Sequence, residues 1–247
     1  MKFKTPKKTN KYQSSSKTPF AVVEAYNTIR TNMLFLLSQT KGKMFAVTSA
    51  MASEGKSTTV LNLAISFSQL GGKILLIDAD LRKPSIHKKV HISNTKGLSN
   101  VLVGFCSFDE AVTTINENLD ILTAGTRPPN PSEILASQNF EDLLEFAKER
   151  YDYVIIDTPP INLLSDALLI APRTDGVVMV VKDHETYHLE FRNALSSIEF
   201  ANIHLFGVVL NSMNEADQKR KYGKYRYRYR YRYNYYVYGN SPSNYVK

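Results

Sequence analysis

The sequence predicts an α/β domain: a mostly parallel, doubly wound sheet flanked by helices. Three observations predict it. Short apolar runs alternate along the chain with longer stretches whose apolar residues recur at helical spacing. Two runs, Ile74–Ile77 and Val154–Ile156, are apolar without interruption, as expected of strands covered on both faces. Both are followed at once by aspartate, which places carboxylates at the C-terminal edge of the strands, where open α/β sheets bind ligands.

The elements follow in order. From Phe20 to about Leu37, Val22, Tyr26, Ile29, Met33 and Leu36 fall at helical spacing and predict a first helix. Met44–Ser49 is a short apolar run and predicts a strand. Ser57–Leu70 carries Val60, Leu61, Leu63, Ala64 and Phe67 at helical spacing and stops at Gly71-Gly72, a helix-ending signal. Ile74–Ile77 and Leu119–Leu122 read as strands, Phe140–Tyr151 as a helix, and Tyr153–Ile156 as the strand after it. Val177–Val181 and Leu205–Leu210 complete the set. Pro128–Leu135 reads as a rigid connection leading into a helix.

Composition narrows the function classes. The 247 residues suffice for one large domain, and 43% hydrophobic with 22% charged residues is ordinary for a folded chain. No stretch approaches the roughly 18 apolar residues of a membrane helix, and no apolar block follows the N-terminal lysines as in a signal peptide. The single cysteine, Cys106, excludes an internal disulfide, so a cytoplasmic chain is expected. Of the five histidines, His184 and His188 are spaced i, i+4, as are His87 and His91, and no further zinc ligands accompany either pair.

The net charge of +8 is unevenly distributed. Residues 1–18 hold six lysines and no acid, and residues 219–247 hold nine Lys/Arg and no acid. Of the 31 basic residues, 16 are left for residues 19–218, against all 23 acidic ones, a net of −7. The expected organisation is a disordered basic arm (1–18), an acidic catalytic body (19–218) and a basic tail (219–247). Such tails suit an anionic surface, whereas the acidic body does not suit a specific nucleic-acid binder.

Chemistry begins at Ala50-Met-Ala-Ser-Glu-Gly55-Lys56-Ser57-Thr58, between a predicted strand and a predicted helix. It fits the phosphate-binding pattern G-x-x-x-x-G-K-[ST], with Ala50 in place of the first glycine. In such a P-loop, successive backbone N–H groups and the helix N-terminus surround phosphates, the lysine reaches the β/γ oxygens, and the hydroxyl holds Mg²⁺. Ser53, Glu54, Gly55, Lys56, Ser57 and Thr58 are therefore candidate ATP contacts. Asp157 reads as the carboxylate that orients Mg²⁺ and its waters. Asp78 and Asp80 form a second acidic pair that a simple ATPase does not need, and one of them is a candidate general base. The bland reading of such aspartates is capping or turn formation. Arg82 is equally compatible with stabilising transferred phosphate and with pairing to Asp78 or Asp80.

The tail holds ten of the fifteen tyrosines: Tyr222, Tyr225, Tyr227, Tyr229, Tyr231, Tyr233, Tyr235, Tyr236, Tyr238 and Tyr245. Strict Tyr/Arg alternation fits a β-edge, stacking on single-stranded nucleic acid, or a phospho-acceptor segment. Charge arithmetic supports the third reading. Each phosphotyrosine adds about −1.5 to −2, so about five or six would neutralise the tail and more would invert it.

A P-loop, a hydrophobic-D-x-D-x-R strand end, a hydrophobic-D-x-P strand end and a tyrosine-rich C-terminus together resemble the bacterial tyrosine kinases, in particular the capsular or exopolysaccharide autokinases of Gram-positive bacteria. The resemblance covers about residues 20–247. It implies that Lys56 and Ser57 bind nucleotide phosphate and Mg²⁺. It further implies that Asp78, Asp80 and Asp157 serve Mg²⁺ and acceptor activation, and that tail tyrosines are phosphorylated between neighbouring subunits. A membrane-anchored activator, a cognate tyrosine phosphatase and a place at the inner face of the membrane belong to the same expectation. Asn211 resembles the adenine-contacting position of the wider class, or is a turn residue.

Two departures matter. The family's E-x-x-R-x-x-R subunit contact appears here as Glu24, Asn27 and Arg30, and Asn27 lacks the forked donors of Arg, so self-association is implied without a specified ring. Glu24 and Arg30 are equally compatible with solvated helix charges. The main alternative, a partner-switching ATPase of the partition or division-site type, carries a signature lysine where this chain has Met51.

Overall fold

A computed structural model describes residues 20–40 and 42–212. The predicted arm 1–18 and tail 219–247, with all ten candidate acceptors, lie outside the described residues. The chain divides after Asn211 into two units, and the sheet and helices belong to the first.

The element order is α1 (Phe20–Thr40), β1 (Met44–Ser49), α2 (Lys56–Ser68), β2 (Ile74–Asp78), α3 (Ile86–Lys89), α4 (Leu98–Leu102), α5 (Phe108–Ala111), β3 (Val112–Asn116), β4 (Leu119–Leu122), α6 (Pro131–Ala136), α7 (Gln138–Arg150), β5 (Tyr153–Asp157), α8 (Asp166–Ile170), a 3₁₀ turn (Ala171–Arg173), β6 (Val177–Lys182), α9 (His188–Phe200) and β7 (Leu205–Asn211). The seven strands lie in the order β3-β4-β2-β5-β1-β6-β7. Every pairing is parallel except β3 with β4. β1, β2 and β5 occupy the centre, which explains why β1 and β2 are buried throughout and β5 from Val154 to Asp157.

Period two divides the side chains of each central strand between two cores. Phe45, Val47, Ile74, Leu76 and Ile155 pack under α1, α2 and α3. Met44, Ala46, Leu75, Ile77, Val154 and Ile156 pack under α4 to α9. Phe67 of α2 anchors the first layer, its ring 5.8 Å from Phe45 and 5.2 Å from Tyr153.

The charged face of α1 is turned inward in part. Arg30 donates to the Ser66 carbonyl near the end of α2 at 2.5 Å, and the Ser66 hydroxyl donates to Asn27 Oδ1 at 3.0 Å. Asn27 in turn donates to Glu24 at 3.0 Å. These residues therefore pin α1 to α2 within one chain; the reading of Glu24 and Arg30 as merely solvated charges does not hold for Arg30.

Candidate functional site

The site forms where β1, β2, β5, β6 and β7 end on one edge of the sheet. After Ser49 the chain turns through residues 50–55 into α2, whose N-cap is Gly55. Ser53 and Gly55 adopt φ of 67° and 86°, so the loop doubles back twice in the left-handed region. At Gly55 an added Cβ would also collide with the side-chain amide of Asn211. Gly55→Ala is therefore expected to weaken Mg-ADP binding at least about tenfold while leaving the sheet intact, read by nucleotide titration together with circular dichroism. Unchanged affinity would contradict the fit described here.

The loop is braced from inside. Ser49 Oγ donates to the Met51 carbonyl at 2.8 Å, and Met51 N–H donates to Glu54 Oε2 at 2.8 Å. Asn211 Nδ2 donates to the Glu54 carbonyl at 2.9 Å. Asn211 thus lies against the P-loop backbone, a contact the turn reading did not include. Thr58 is exposed, and its hydroxyl accepts from Lys89 at 2.8 Å.

Lys56 is buried and forms a 2.5 Å ion pair with Asp157 Oδ1, and its Nζ lies 3.4 Å from Ser57 Oγ. Asp157 sits beside Asp78 in the register of β5 and β2. Burial pushes the Asp157 carboxyl above its ordinary range, opposed by Lys56 and Ser57. Asp78 is pushed up to about 8, first by burial and then by Asp157, against the pull of Lys56. Asp157 Oδ2 is buried without a hydrogen-bond partner, a costly arrangement for a carboxylate.

The second acidic pair does what the capping and turn reading expects of it. Asp78 accepts from Ser85 N–H at 3.2 Å and Ile86 N–H at 3.1 Å, and so holds the start of α3. Asp80 N–H donates to Asp78 Oδ1 at 3.3 Å, and Asp80 Oδ1 closes a turn by accepting from Lys83 N–H at 2.9 Å. Asp80 keeps 8% of its surface exposed where Asp78 has none.

Arg82 requires a correction. It pairs with neither Asp78 nor Asp80 but with Asp166 at the start of α8, through Nε at 2.7 Å and a second nitrogen at 3.2 Å. Ser132 on α6 accepts from Arg82 at 2.8 Å and donates to Asp166 at 2.6 Å. Two of the three guanidinium nitrogens, Nε and Nη2, are held in this clamp, and the side chain keeps 31% of its surface exposed. The Pro128–Leu135 connection does lead into α6, as expected, and supplies Ser132.

The donor set fits a nucleotide and Mg²⁺. A left-handed loop, a buried lysine, a hydroxyl and an unsatisfied buried carboxylate oxygen converge on one point. Among the described residues no group of three or more His, Cys, Asp or Glu side chains is arranged to hold a metal alone. Mg²⁺ takes one or two protein ligands and completes its shell with phosphate oxygens and water, and the Ser57 hydroxyl and the Asp157 carboxylate are oxygen donors of that kind.

The comparisons with known proteins agree with this geometry. An AAA domain family model matches residues 42–202. The tyrosine-protein kinase YwqD of Bacillus subtilis is 41% identical over 203 residues, covering 82% of this chain and 85% of that protein. The chain belongs to the bacterial tyrosine-protein kinase family. A putative tyrosine-protein kinase, CapB of Staphylococcus aureus, is 35% identical over 205 residues, covering 83% of this chain and 90% of that protein. The crystal structure of the chimerical protein CapA2B2 aligns with a TM-score of 0.77 at 36% identity, covering 82% of this chain and 88% of that one. Kinase membership displaces the partition-type ATPase alternative. Among the described residues no helix is long and apolar enough to cross a membrane.

Sequence reasoning missed Asp166 and Ser132, and also Thr186, whose hydroxyl donates to Glu54 Oε1. Asp166 carried one signal, an acid at the start of an apolar stretch; Thr186 carried none beyond its place after a strand.

Proposed function

We propose that the chain is an ATP-dependent protein-tyrosine autokinase that phosphorylates its own tyrosine cluster in trans and regulates polysaccharide polymerisation and export. The observation that carries the reading is Lys56 held against Asp157, beside an unsatisfied Asp157 oxygen, at the mouth of a P-loop. The acceptors in this reading are the ten tyrosines of residues 222–247.

Mg-ATP supplies the phosphoryl group and the cation that offsets charge on the phosphate oxygens during in-line displacement. The backbone N–H groups of residues 53–58 cradle the phosphates. Lys56 would turn from Asp157 to the β/γ oxygens, and Ser57 and Asp157 would hold the cation, with Asp78 beside them. Asp80, the more exposed of the acidic pair, receives the proton from the acceptor phenol as the tyrosyl oxygen bonds to phosphorus and ADP leaves with the other bond's electrons. Asn211 supports the adenine side by fixing the P-loop. The division into arm 1–18, kinase body 19–218 and acceptor tail 219–247 is part of the same proposal. So are a membrane-anchored activator that brings the protein to the inner membrane face, a cognate tyrosine phosphatase, and self-association.

A random coil of about 30 residues has an r.m.s. span near 30 Å, the reach that the trans reading asks of residues 219–247. Under the trans mechanism, phosphotyrosine formed per molecule rises with protein concentration across a hundredfold dilution series, and deletion of residues 222–247 removes the acceptors. Equal per-molecule rates throughout that series would overturn the trans step.

A further inference from the structure

Glu54 is a buried carboxylate inside a loop built to surround anions, an electrostatically awkward choice. Its two oxygens do not point into the loop unpartnered. Oε2 takes the Met51 N–H, and Oε1 takes the hydroxyl proton of Thr186, on the connection between β6 and α9. Thr186 is itself oriented twice: its Oγ1 accepts from Lys182 N–H at 2.8 Å, and its N–H donates to the Lys182 carbonyl at 3.0 Å. With the Lys182 N–H occupying an acceptor position, the hydroxyl proton is directed to Glu54. Asn211 closes the arrangement from β7, donating to the Glu54 carbonyl at 2.9 Å while its own carbonyl accepts from Asp183 N–H at 2.9 Å. Three strand ends thus meet on one residue of the phosphate-binding loop.

We propose that Thr186 is a positioning residue for nucleotide binding, acting through Glu54 on the shape of the P-loop rather than by touching the nucleotide. The proposal rests on the nucleotide-binding part of the kinase reading. Without the Thr186 hydroxyl, Glu54 Oε1 is buried and unpartnered, and the carboxylate has reason to turn outward, releasing Met51 N–H and bringing negative charge toward the phosphates. Loss of the hydroxyl therefore acts on affinity for ATP and ADP and leaves the transfer step alone.

The test uses the full chain as Thr186→Val, Thr186→Ser, Glu54→Gln and the double variant Thr186→Val/Glu54→Gln. Mg-ADP affinity is measured by calorimetry and, separately, tail phosphotyrosine formation against ATP concentration. Thr186→Val is expected to weaken Mg-ADP about tenfold and to raise KM for ATP similarly, with kcat within about twofold. Thr186→Ser, which keeps the hydroxyl, restores both. Thr186→Val adds little on top of Glu54→Gln, because the two act through one contact. Unchanged ADP affinity in Thr186→Val overturns the proposal, as does equal impairment in Thr186→Ser, which assigns the effect to packing. If Thr186→Val does not fold, Thr186→Ala takes its place: weaker Mg-ADP binding in Thr186→Ala with wild-type binding in Thr186→Ser supports the proposal, and unchanged binding in Thr186→Ala overturns it. Failure of the kinase reading looks different: wild type then binds Mg-ADP yet forms no phosphotyrosine.

Discussion

Lys56→Met is expected to lower phosphotyrosine in the tail by about a thousandfold, the scale on which a preorganised charge at a reacting group acts. The substitution removes the one buried cation at the P-loop, whose side chain is only 8% exposed, and it takes from Asp157 a partner at 2.5 Å. Both consequences oppose catalysis. The phosphates lose their point charge, and in the nucleotide-free site Asp157, pushed toward its protonated form by burial, loses the cation that opposes that shift. Lys56→Arg is expected to recover little, because a planar fork does not replace a compact ammonium in so closed a space. Quantitative mass spectrometry under Mg-ATP, with thermal melts showing that each variant folds, reads the effect. A folded Lys56→Met protein retaining more than a tenth of wild-type phosphotyrosine would contradict the assignment.

The clamp formed by Arg82, Asp166 and Ser132 predicts an asymmetric loss of stability. Asp166 is wholly buried, whereas the Arg82 side chain is 31% exposed. Arg82→Met leaves a buried carboxylate with only the Ser132 hydroxyl and is expected to cost about 3 kcal/mol. Asp166→Asn leaves a guanidinium that reaches water and is expected to cost about 1–2 kcal/mol. Burial pushes the Asp166 carboxyl up, but the bonds from Arg82 and Ser132 outweigh it and hold it below its ordinary value. A carboxyl depressed in the folded state contributes stability above its unfolded pKa, about 3.9, and loses it as pH falls through the lower folded value. Urea unfolding at pH 7 and near pH 3 should therefore show the advantage of wild type over Asp166→Asn shrinking with acid. Equal costs for Arg82→Met and Asp166→Asn would contradict the burial argument. The clamp ties the segment after β2, which carries Asp80 and Arg82, to α6 and α8.

What the sequence made legible follows from range. The central strands are buried on both faces, so their composition alone marks them. The P-loop is a local motif, and Asp78, Asp80 and Asp157 follow their strands directly. β3 went unread because Thr113, Thr114 and Asn116 give an edge strand no apolar signature, and its antiparallel pairing with β4 contains a register shift. The partner of Arg82 lies 84 residues away, and nearer carboxylates at Asp78 and Asp80 competed for it. Thr186 reaches Glu54 across 132 residues. No periodicity encodes such contacts; they exist only once the strand order sets β6 beside β1. Asn27 shows the same limit in assembly, since its substitution for Arg was visible while its bond to Ser66 was not.

The most direct test is mass mapping of phosphotyrosine after incubation of the full chain with Mg-ATP and the cytoplasmic segment of the proposed membrane activator. The account predicts phosphotyrosine within residues 222–247 in wild type and none in Lys56→Met. ATP hydrolysis by wild type without phosphotyrosine anywhere in the chain, with that activator present, would contradict it and return the protein to a nucleotide-driven switch.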